Sequence, residues 1–443
     1  MQNYTIILVL WKYKLGLREL RKPSHVRLFV VAPPRILQDE SNVDVYYQVE
    51  PPMADLNNSQ LLEKVRELCS IYTSSQLRLV VFERKLQRPI AQLRKELNIE
   101  GFLPDQLDIL FSVRDAISNP RRNGLATLRQ CSLSGTPQPE QWMEAVKAQI
   151  GGFPAIVEPI KPHTANSIGI IRNELEFKSW FRRQSKAHRF EEYLVTEYID
   201  DGREFSLLCT SKNGIIGCIS SLESHRLVIE SIQSQKPFGF EFFSVQQTRD
   251  ILPGLESFAV QVMRSVFPRG YSGILFIKGF YKNHNDIFFL GFSLEPEWDT
   301  FRQLLSIMKP FFFWECLAIE NLYDQEPAND LAESKKYNAI LNFPSSEGIL
   351  IHQTTIHKRS CQEMRVAWRA SEGQEMSDSD SIDDNVVQIY LSCTNRERLL
   401  EDCSTILDQT DITIDKNVLS ERQNVAKRNL TVKELIRSCT TTD

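Results

Sequence analysis

The side chains able to do chemistry are a few carboxylates and one lysine in the middle of the chain. Glu158, Glu204 and Lys278 fall within predicted strands. Glu295 and Glu297 are two residues apart, so in an extended segment both carboxylates lie on one face, where they can hold a divalent cation. The same two glutamates also fit a solvated loop that follows a strand. The residues alone leave both interpretations open.

Other kinds of catalytic site are not indicated. The seven histidines have no cysteine or acidic partners at zinc-ligand spacing. The sequence contains no G-x-S-x-G elbow, no Walker loop and no G-x-G-x-x-G fingerprint. The motifs of an α/β-hydrolase, a P-loop enzyme and a dinucleotide-binding domain are therefore absent from the sequence.

Length and composition set the protein class. A chain of 443 residues is long enough for two to four globular units. A formal charge of -5 without a long basic run argues against nucleic-acid binding. Nine scattered cysteines without a Cys-x-x-Cys pair are typical of reduced thiols, and no apolar run reaches the roughly 18 residues of a membrane span. We expect a soluble, cytoplasmic protein whose residues 4–11 form a buried first strand rather than a signal segment.

The elements that must position the candidate residues follow from hydrophobic periodicity. Short apolar runs at 6–11, 26–32 and 77–82 alternate with helical patterns, which predicts an open, largely parallel α/β sheet. Farther along, 204–209 and 215–220 alternate as antiparallel strands, a helix is predicted over 251–267, and 273–280 with 287–294 form a hairpin.

The last hundred residues predict a smaller α+β unit. Strands are expected near 348–352, 365–368 and 386–393, and a helix over 396–407. The serine- and aspartate-rich segment 377–384 predicts a mobile acidic loop whose serines are candidates for phosphorylation, and the tail after residue 430 is expected to fray.

Two segments resemble the ATP-grasp superfamily. Residues 152–159 read G-F-P-A-I-V-E-P, similar to the family strand G-F-P-x-V-V-K-P. Residues 193–206 read Y-L-V-T-E-Y-I-D-D-G-R-E-F-S, similar to the family's hinge and the strand after it. With weaker similarities at 99–115 and 386–414, the resemblance covers most of the chain in the right order. It points to carboxylate-amine ligases (carnosine-synthase-like) and biotin-carboxylase-like proteins.

The resemblance implies an architecture and a nucleotide site. We expect an α/β chain with a Rossmann-like pre-ATP-grasp domain at 1–118, a two-lobed ATP-grasp core of α+β type at 119–345 with its hinge near 195–200, and a small C-terminal α+β closing lobe at 346–443. In this family the hinge backbone binds adenine and a nearby carboxylate binds ribose. The implied nucleotide-binding residues are Ile156, Glu158, Val195, Glu197, Tyr198, Ile199 and Glu204.

The charged catalytic positions of the family are changed here. Glu158 replaces the lysine that contacts phosphate. The family's acidic metal ligands fall on Lys278 and Gly291 when residues 273–278 and 290–295 are aligned with the motifs. A register slip of four residues would instead offer Glu295 and Glu297 as metal ligands. The exchanged signs also suggest a hypothesis, an ion pair between Glu158 and Lys278 that closes the cleft without magnesium.

Three functions follow from the resemblance. The first is a protein that binds adenine nucleotide, with ATP as the expected cofactor, and whose ligase activity is reduced or lost. The second is an active ATP-dependent ligase with a relocated Mg²⁺ site, acting on small carboxylate and amine substrates. The third is a scaffold that binds no nucleotide. The changes at the family's charged catalytic positions argue against the second function. The resemblance is also compatible with a homodimer.

Overall fold

The computed structural model separates into two compact units, each built from three stretches of chain. The first unit comprises Met1–Gln130, Asp201–Ser220 and Phe242–Ser334, and the second comprises Cys131–Asp200, Ser221–Glu241 and Lys335–Asp443. The domain boundaries predicted at residues 118 and 345 remain predictions. The structure describes residues 4–11, 20, 22–36, 42–49, 59–72, 76–111, 124–134, 138–160, 168–186, 192–210, 214–222, 227–267, 274–294, 335–356, 360–410 and 412–416.

A parallel sheet opens the first unit and confirms the α/β prediction. Its strands are β1 (Tyr4–Val9), β2 (Val26–Ala32), β3 (Val45–Gln48) and β4 (Leu77–Val81), in the order β3-β2-β1-β4. Because residues 6–9 of the first strand are buried on both faces, the strand reads as a continuous apolar run. The helices α1 (Ser59–Ile71), α2 (Arg84–Leu97) and α3 (Pro104–Phe111) follow in the same unit.

An antiparallel group of strands carries the rest of the first unit. The strands β9 (Arg203–Thr210), β10 (Gly214–Ser221), β12 (Ile274–Asn283) and β13 (Asp286–Ser293) lie in the order β13-β12-β9-β10. One face buries Leu207, Ile277 and Phe289 against two helices, α7 (Val245–Ile251) and α8 (Leu255–Val266). The predicted hairpin is confirmed, but the single helix predicted over 251–267 is wrong. Pro253 and Gly254 break it, since Gly254 is left-handed with φ 92°.

The second unit contains a four-stranded sheet with an aromatic core. Its strands are β5 (Gln130–Leu133), β6 (Ala155–Pro159), β7 (Gly169–Ile171) and β8 (Tyr193–Glu197), in the order β5-β8-β6-β7. The helices α4 (Pro139–Ile150) and α5 (Glu174–Lys186) supply Trp142 and Trp180 to this core. The Trp180 ring meets the Tyr193 ring edge-on, with centroids 5.0 Å apart.

The same unit continues into the elements predicted for the end of the chain. The strands β11 (Phe238–Ser244), β14 (Tyr337–Pro344), β18 (Asn385–Cys393) and β16 (Glu363–Trp368) are neighbours in that order. A small sheet has the order β17-β15-β19, with β15 (Gly348–His352), β17 (Glu375–Met376) and β19 (Thr413–Asp415). Two helices complete the described part of the unit, α6 (Val228–Gln233) and α9 (Arg396–Gln409). In the described ranges, no helix combines the length and apolar character needed to cross a bilayer.

The acidic segment 377–384, predicted to be a mobile loop, is held by hydrogen bonds in the structure, and its mobility stays a prediction. Ser379 is fully buried, its backbone N–H donates to the Ser345 carbonyl at 2.9 Å, and its hydroxyl donates to the Asp384 carbonyl at 2.8 Å. From outside the segment, the Gln235 side-chain amide donates to the Ser379 carbonyl and accepts from the Ser379 backbone N–H. Side-chain and backbone hydrogen bonds of this kind are what a serine- and aspartate-rich turn can form locally. The predicted fraying after residue 430 lies outside the described residues.

Asp402 of α9 is a buried carboxylate that holds the chain segment just before β16 through hydrogen bonds. Its side chain is 2% exposed and accepts hydrogen bonds from the Ser360 backbone at 2.9 Å, the Ser360 hydroxyl at 2.8 Å and the Cys361 backbone at 2.8 Å. Burial raises the pKa of the Asp402 carboxyl, but the hydrogen bonds from Ser360 and Cys361 outweigh it and hold the pKa below its ordinary value.

We predict that Asp402→Ala lowers the free energy of unfolding by about 2–4 kcal/mol, because it leaves buried donors unpaired. The stabilisation that Asp402 contributes should be fully present at pH values above the ordinary carboxyl pKa. It should disappear as pH falls through the lowered pKa of Asp402 in the folded protein. Urea unfolding of both proteins between pH 3 and pH 7 measures this. The exposed Glu401→Ala on the same helix is the control, and equal midpoints for the two variants would contradict the role of Asp402.

Candidate nucleotide-binding site

The alternation of β6 divides its residues between two faces. Ala155 and Val157 belong to the core of the second unit, while Ile156 and Glu158 lie on the opposite, half-buried face. In register, Ile156 is opposite Thr196 and Glu158 is opposite Leu194 of β8. The predicted site residues Ile156 and Glu158 therefore share one face of this sheet.

The predicted hinge begins where β8 ends. Glu197 is the last residue of the strand, and the half-buried Tyr198 and Ile199 follow it. Val195 is buried in the core, so its backbone is the only part suited to a ligand. The Tyr198 backbone N–H donates to the Pro154 carbonyl at 3.3 Å, which fixes the start of the hinge to the strand beside it.

A polar network holds the Tyr198 side chain. Its hydroxyl donates to Glu230 Oε2 of α6 at 3.1 Å, and the other oxygen of Glu230 accepts from the Arg172 guanidinium. Partial burial, followed by the Glu230 charge and hydrogen bond, raises the pKa of Tyr198 to about 12, against a smaller lowering by Arg172. Sequence reasoning missed Arg172 and Glu230, because no pattern links residues 58 positions apart.

The antiparallel strands of the first unit also have two distinct faces. Phe205, Leu207 and Ile277 point into the core. Their neighbours Glu204, Ser206 and Lys278 therefore lie on the opposite face, which we call the open face, and Ser206 is in register with Lys278. Glu204 is half-buried and thus suits the predicted contact with ribose hydroxyls.

The two positions implied as metal ligands are direct neighbours on this open face. Lys278 of β12 is opposite Gly291 of β13. A register shift follows at once, because Gly279 pairs with Phe289 and leaves Leu290 as an extra residue. A Cβ atom added at Gly291 would meet no described residue within 4 Å, so these residues leave room where the resemblance implies a carboxylate. The assignment of Lys278 and Gly291 to the family's ligand positions stays a prediction.

The described residues do not fit a magnesium ion. One of the two implied ligand positions carries a cation and the other has no side chain. Nowhere in the described ranges do three histidine, cysteine, aspartate or glutamate residues gather in a way that can hold a metal. Glu295 and Glu297, the alternative ligands, lie outside those ranges. Glu158 and Lys278 belong to different units, and their ion pair stays a prediction.

Comparison with known proteins identifies the fold. No protein-family model and no curated protein matches the chain. Among solved structures, the chain is similar to an L-amino acid ligase from Bacillus licheniformis, with a TM-score of 0.59 and 10% identity over 94% of this chain and 100% of that one. The chain therefore has the ATP-grasp fold, as the sequence resemblance implied.

Two further ATP-grasp structures support the same fold. One is the biotin carboxylase domain of Hydrogenobacter thermophilus 2-oxoglutarate carboxylase with MgADP, ADP and bicarbonate, at TM-score 0.54 and 13% identity over 94% of this chain and 92% of that one. The other is phosphoribosylglycinamide synthetase from Anaerococcus prevotii, at TM-score 0.51 and 14% identity over 94% and 100%. Identities this low establish the fold and leave the chemistry to the residues.

The hinge network predicts a measurable titration. Glu230→Gln removes the negative charge beside Tyr198, so we expect the pKa of Tyr198 to fall from about 12 toward 10. Absorbance at alkaline pH, taken as the difference between each protein and its Tyr198→Phe version, isolates this phenol. Glu256→Gln, which removes a surface partner of Arg249, is the control. An unchanged Tyr198 pKa in Glu230→Gln would show that burial alone sets it.

Proposed function

We propose that this protein binds an adenine nucleotide without magnesium and that its carboxylate-amine ligase activity is reduced or lost. The observation that carries the proposal is the cross-strand pairing of Lys278 with Gly291 on the open face. At these two positions the family resemblance implies acidic metal ligands. The Lys278 ammonium, opposite a glycine that has no side chain, suits a phosphate oxygen and repels a divalent cation.

The fold supports the nucleotide part of the proposal. Adenine recognition in this architecture uses backbone groups of the hinge, whatever its side chains. The Tyr198 N–H is already bonded to the Pro154 carbonyl, so the Tyr198 carbonyl and the Ile199 backbone are the groups we assign to the base. Glu204 is half-buried on the same face as Lys278, and the resemblance implies a ribose contact for it. A solved structure with the same fold holds MgADP and ADP. Nucleotide binding therefore depends on features that this sequence retains.

Charge supports the loss of metal-dependent chemistry. Two unit charges in contact near a protein surface interact by about 4 kcal/mol at an effective dielectric constant of 20. Lys278 thus disfavours Mg²⁺ at this position and attracts a nucleotide phosphate, while Glu158 repels phosphate from the position of the family's lysine. Magnesium normally bridges phosphate oxygens and neutralises the charge that develops during transfer. Without it, formation of an acyl phosphate is not assisted.

The proposed setting is the cytoplasm. All seven cysteines among the described residues are free and buried, which suits a reducing compartment. ATP and ADP are the nucleotides we expect there. Their affinity, rather than turnover, is then the property to measure.

Thermal unfolding with ADP or ATP tests the proposal directly. We expect ligand binding to stabilise the native state equally in excess Mg²⁺ and in EDTA, by about 1.4 kcal/mol when the nucleotide is at ten times its Kd. A shift that requires Mg²⁺ would favour an active ligase with Glu295 and Glu297 as metal ligands. No shift at millimolar nucleotide would favour the scaffold and overturn nucleotide binding.

Restoring two carboxylates should restore the response to metal. In the double variant Lys278→Glu, Gly291→Glu, two acidic side chains face each other across adjacent strands, and the space at Gly291 accommodates the new one. We expect ADP affinity to become at least tenfold higher with Mg²⁺ than with EDTA. The matched control, Lys278→Gln with Gly291→Gln, has the same side-chain length without charge. If both double variants respond alike to Mg²⁺, these positions are not the former metal ligands.

A further inference from the structure

A cavity of about 410 Å³ lies within the second unit, separate from the residues discussed above. It is bordered by α6, by the start of β11 and by α9. Its volume is in the range of small-molecule sites, and its walls are largely apolar. The apolar lining residues are Leu222, Val228, Phe238, Leu400 and Leu407.

Two opposite charges stand at this apolar cavity. Lys236 and Asp408 both line it, and both are exposed. Within the described ranges, the Lys236 ammonium makes no hydrogen bond or ion pair with protein. From the described residues, Asp408 accepts one long hydrogen bond, 3.4 Å, from the Ser404 hydroxyl. Neither charge is therefore paired with an opposite charge in the described ranges.

We propose that this cavity binds a free α-amino acid with an apolar side chain. The ligand's carboxylate pairs with Lys236 and its ammonium group pairs with Asp408, while the side chain packs against the leucines, Val228 and Phe238. A zwitterion matches a site with one cation and one anion. An apolar acid or an apolar amine alone would leave one of the two charges facing an uncharged or repelling group.

The position of α6 connects this cavity to the hinge. Val228 and Ser231 of α6 line the cavity, while Glu230 of the same helix accepts the hydrogen bond from the Tyr198 hydroxyl. Gln233 of α6 also donates to the Ile168 carbonyl at 2.6 Å, next to β7. Any displacement of α6 by a bound amino acid would therefore reach Tyr198 through Glu230. Its effect on nucleotide affinity rests on the proposed function, and by linkage the effect is reciprocal.

Isothermal titration calorimetry on the full chain tests the binding site. The probes are L-leucine, 3-methylbutylamine, which lacks the carboxylate, and 4-methylpentanoate, which lacks the amine. We expect L-leucine to bind with at least tenfold higher affinity than either analogue. Absence of L-leucine binding at millimolar concentration, or equal affinities for all three compounds, would overturn the proposal.

Three variants locate the site. Lys236→Met and Asp408→Asn should each weaken L-leucine binding at least tenfold, and the exposed Ser404→Phe should block it by filling the cavity. The control is Lys85→Met, which removes an exposed lysine of α2 that does not line the cavity. Circular dichroism identifies any variant that fails to fold. Because Lys236 is exposed, we expect Lys236→Met to fold, so its L-leucine affinity can be measured. Unchanged L-leucine affinity in folded Lys236→Met would overturn the assignment.

A second titration separates this inference from the proposed function. Saturating L-leucine should change ADP affinity at least threefold, and Glu230→Gln should remove that change while still binding L-leucine. If ADP does not bind but L-leucine does, the proposed function fails and the amino-acid site stands. If both bind without affecting each other, the connection through α6 is overturned.

Discussion

The candidate site depends on the two-residue period of its strands. Burial of Phe205, Leu207 and Ile277 against the helices of the first unit fixes which residues face the other way. Glu204, Ser206 and Lys278 are therefore held on the open face by the apolar residues between them. A slip of one residue would exchange the two faces, which the apolar core does not permit. The site is thus positioned by side chains that take no part in its chemistry.

This arrangement explains how the fold persists while its charges change. The open face is not uniformly exposed, since Ser206, Leu208 and Phe276 are buried. At its half-buried positions, however, an acid can become a lysine or a glycine at small cost to stability. Lys278 and Gly291 occupy such positions. Gly279 points to the other face, where a side chain would collide with the Phe205 ring. Fold similarity at 10–14% identity therefore carries no information about the metal site.

Local patterns predicted the strands well, and long-range contacts escaped them. The predicted strand 26–32 coincides with β2, and 348–352 coincides with β15, because each is a short apolar run between turn residues. The buried Ser379 and the Tyr198–Glu230 bond were not predictable, since they depend on chain segments brought together only by folding. Composition alone did not reveal the hydrogen bonds that hold the acidic segment, such as those between Gln235 and Ser379.

A lysine can replace a metal ion for binding more readily than for catalysis. The Lys278 ammonium attracts a nucleotide phosphate as a single fixed charge, in the ground state and in the transition state alike. Such uniform binding lowers the free energy of both states and does not raise the rate of the chemical step. A divalent cation instead contacts several phosphate oxygens at once and strengthens its hold as charge develops. Under the proposed function, a lysine at position 278 would therefore favour retention of the nucleotide over transfer of its phosphoryl group.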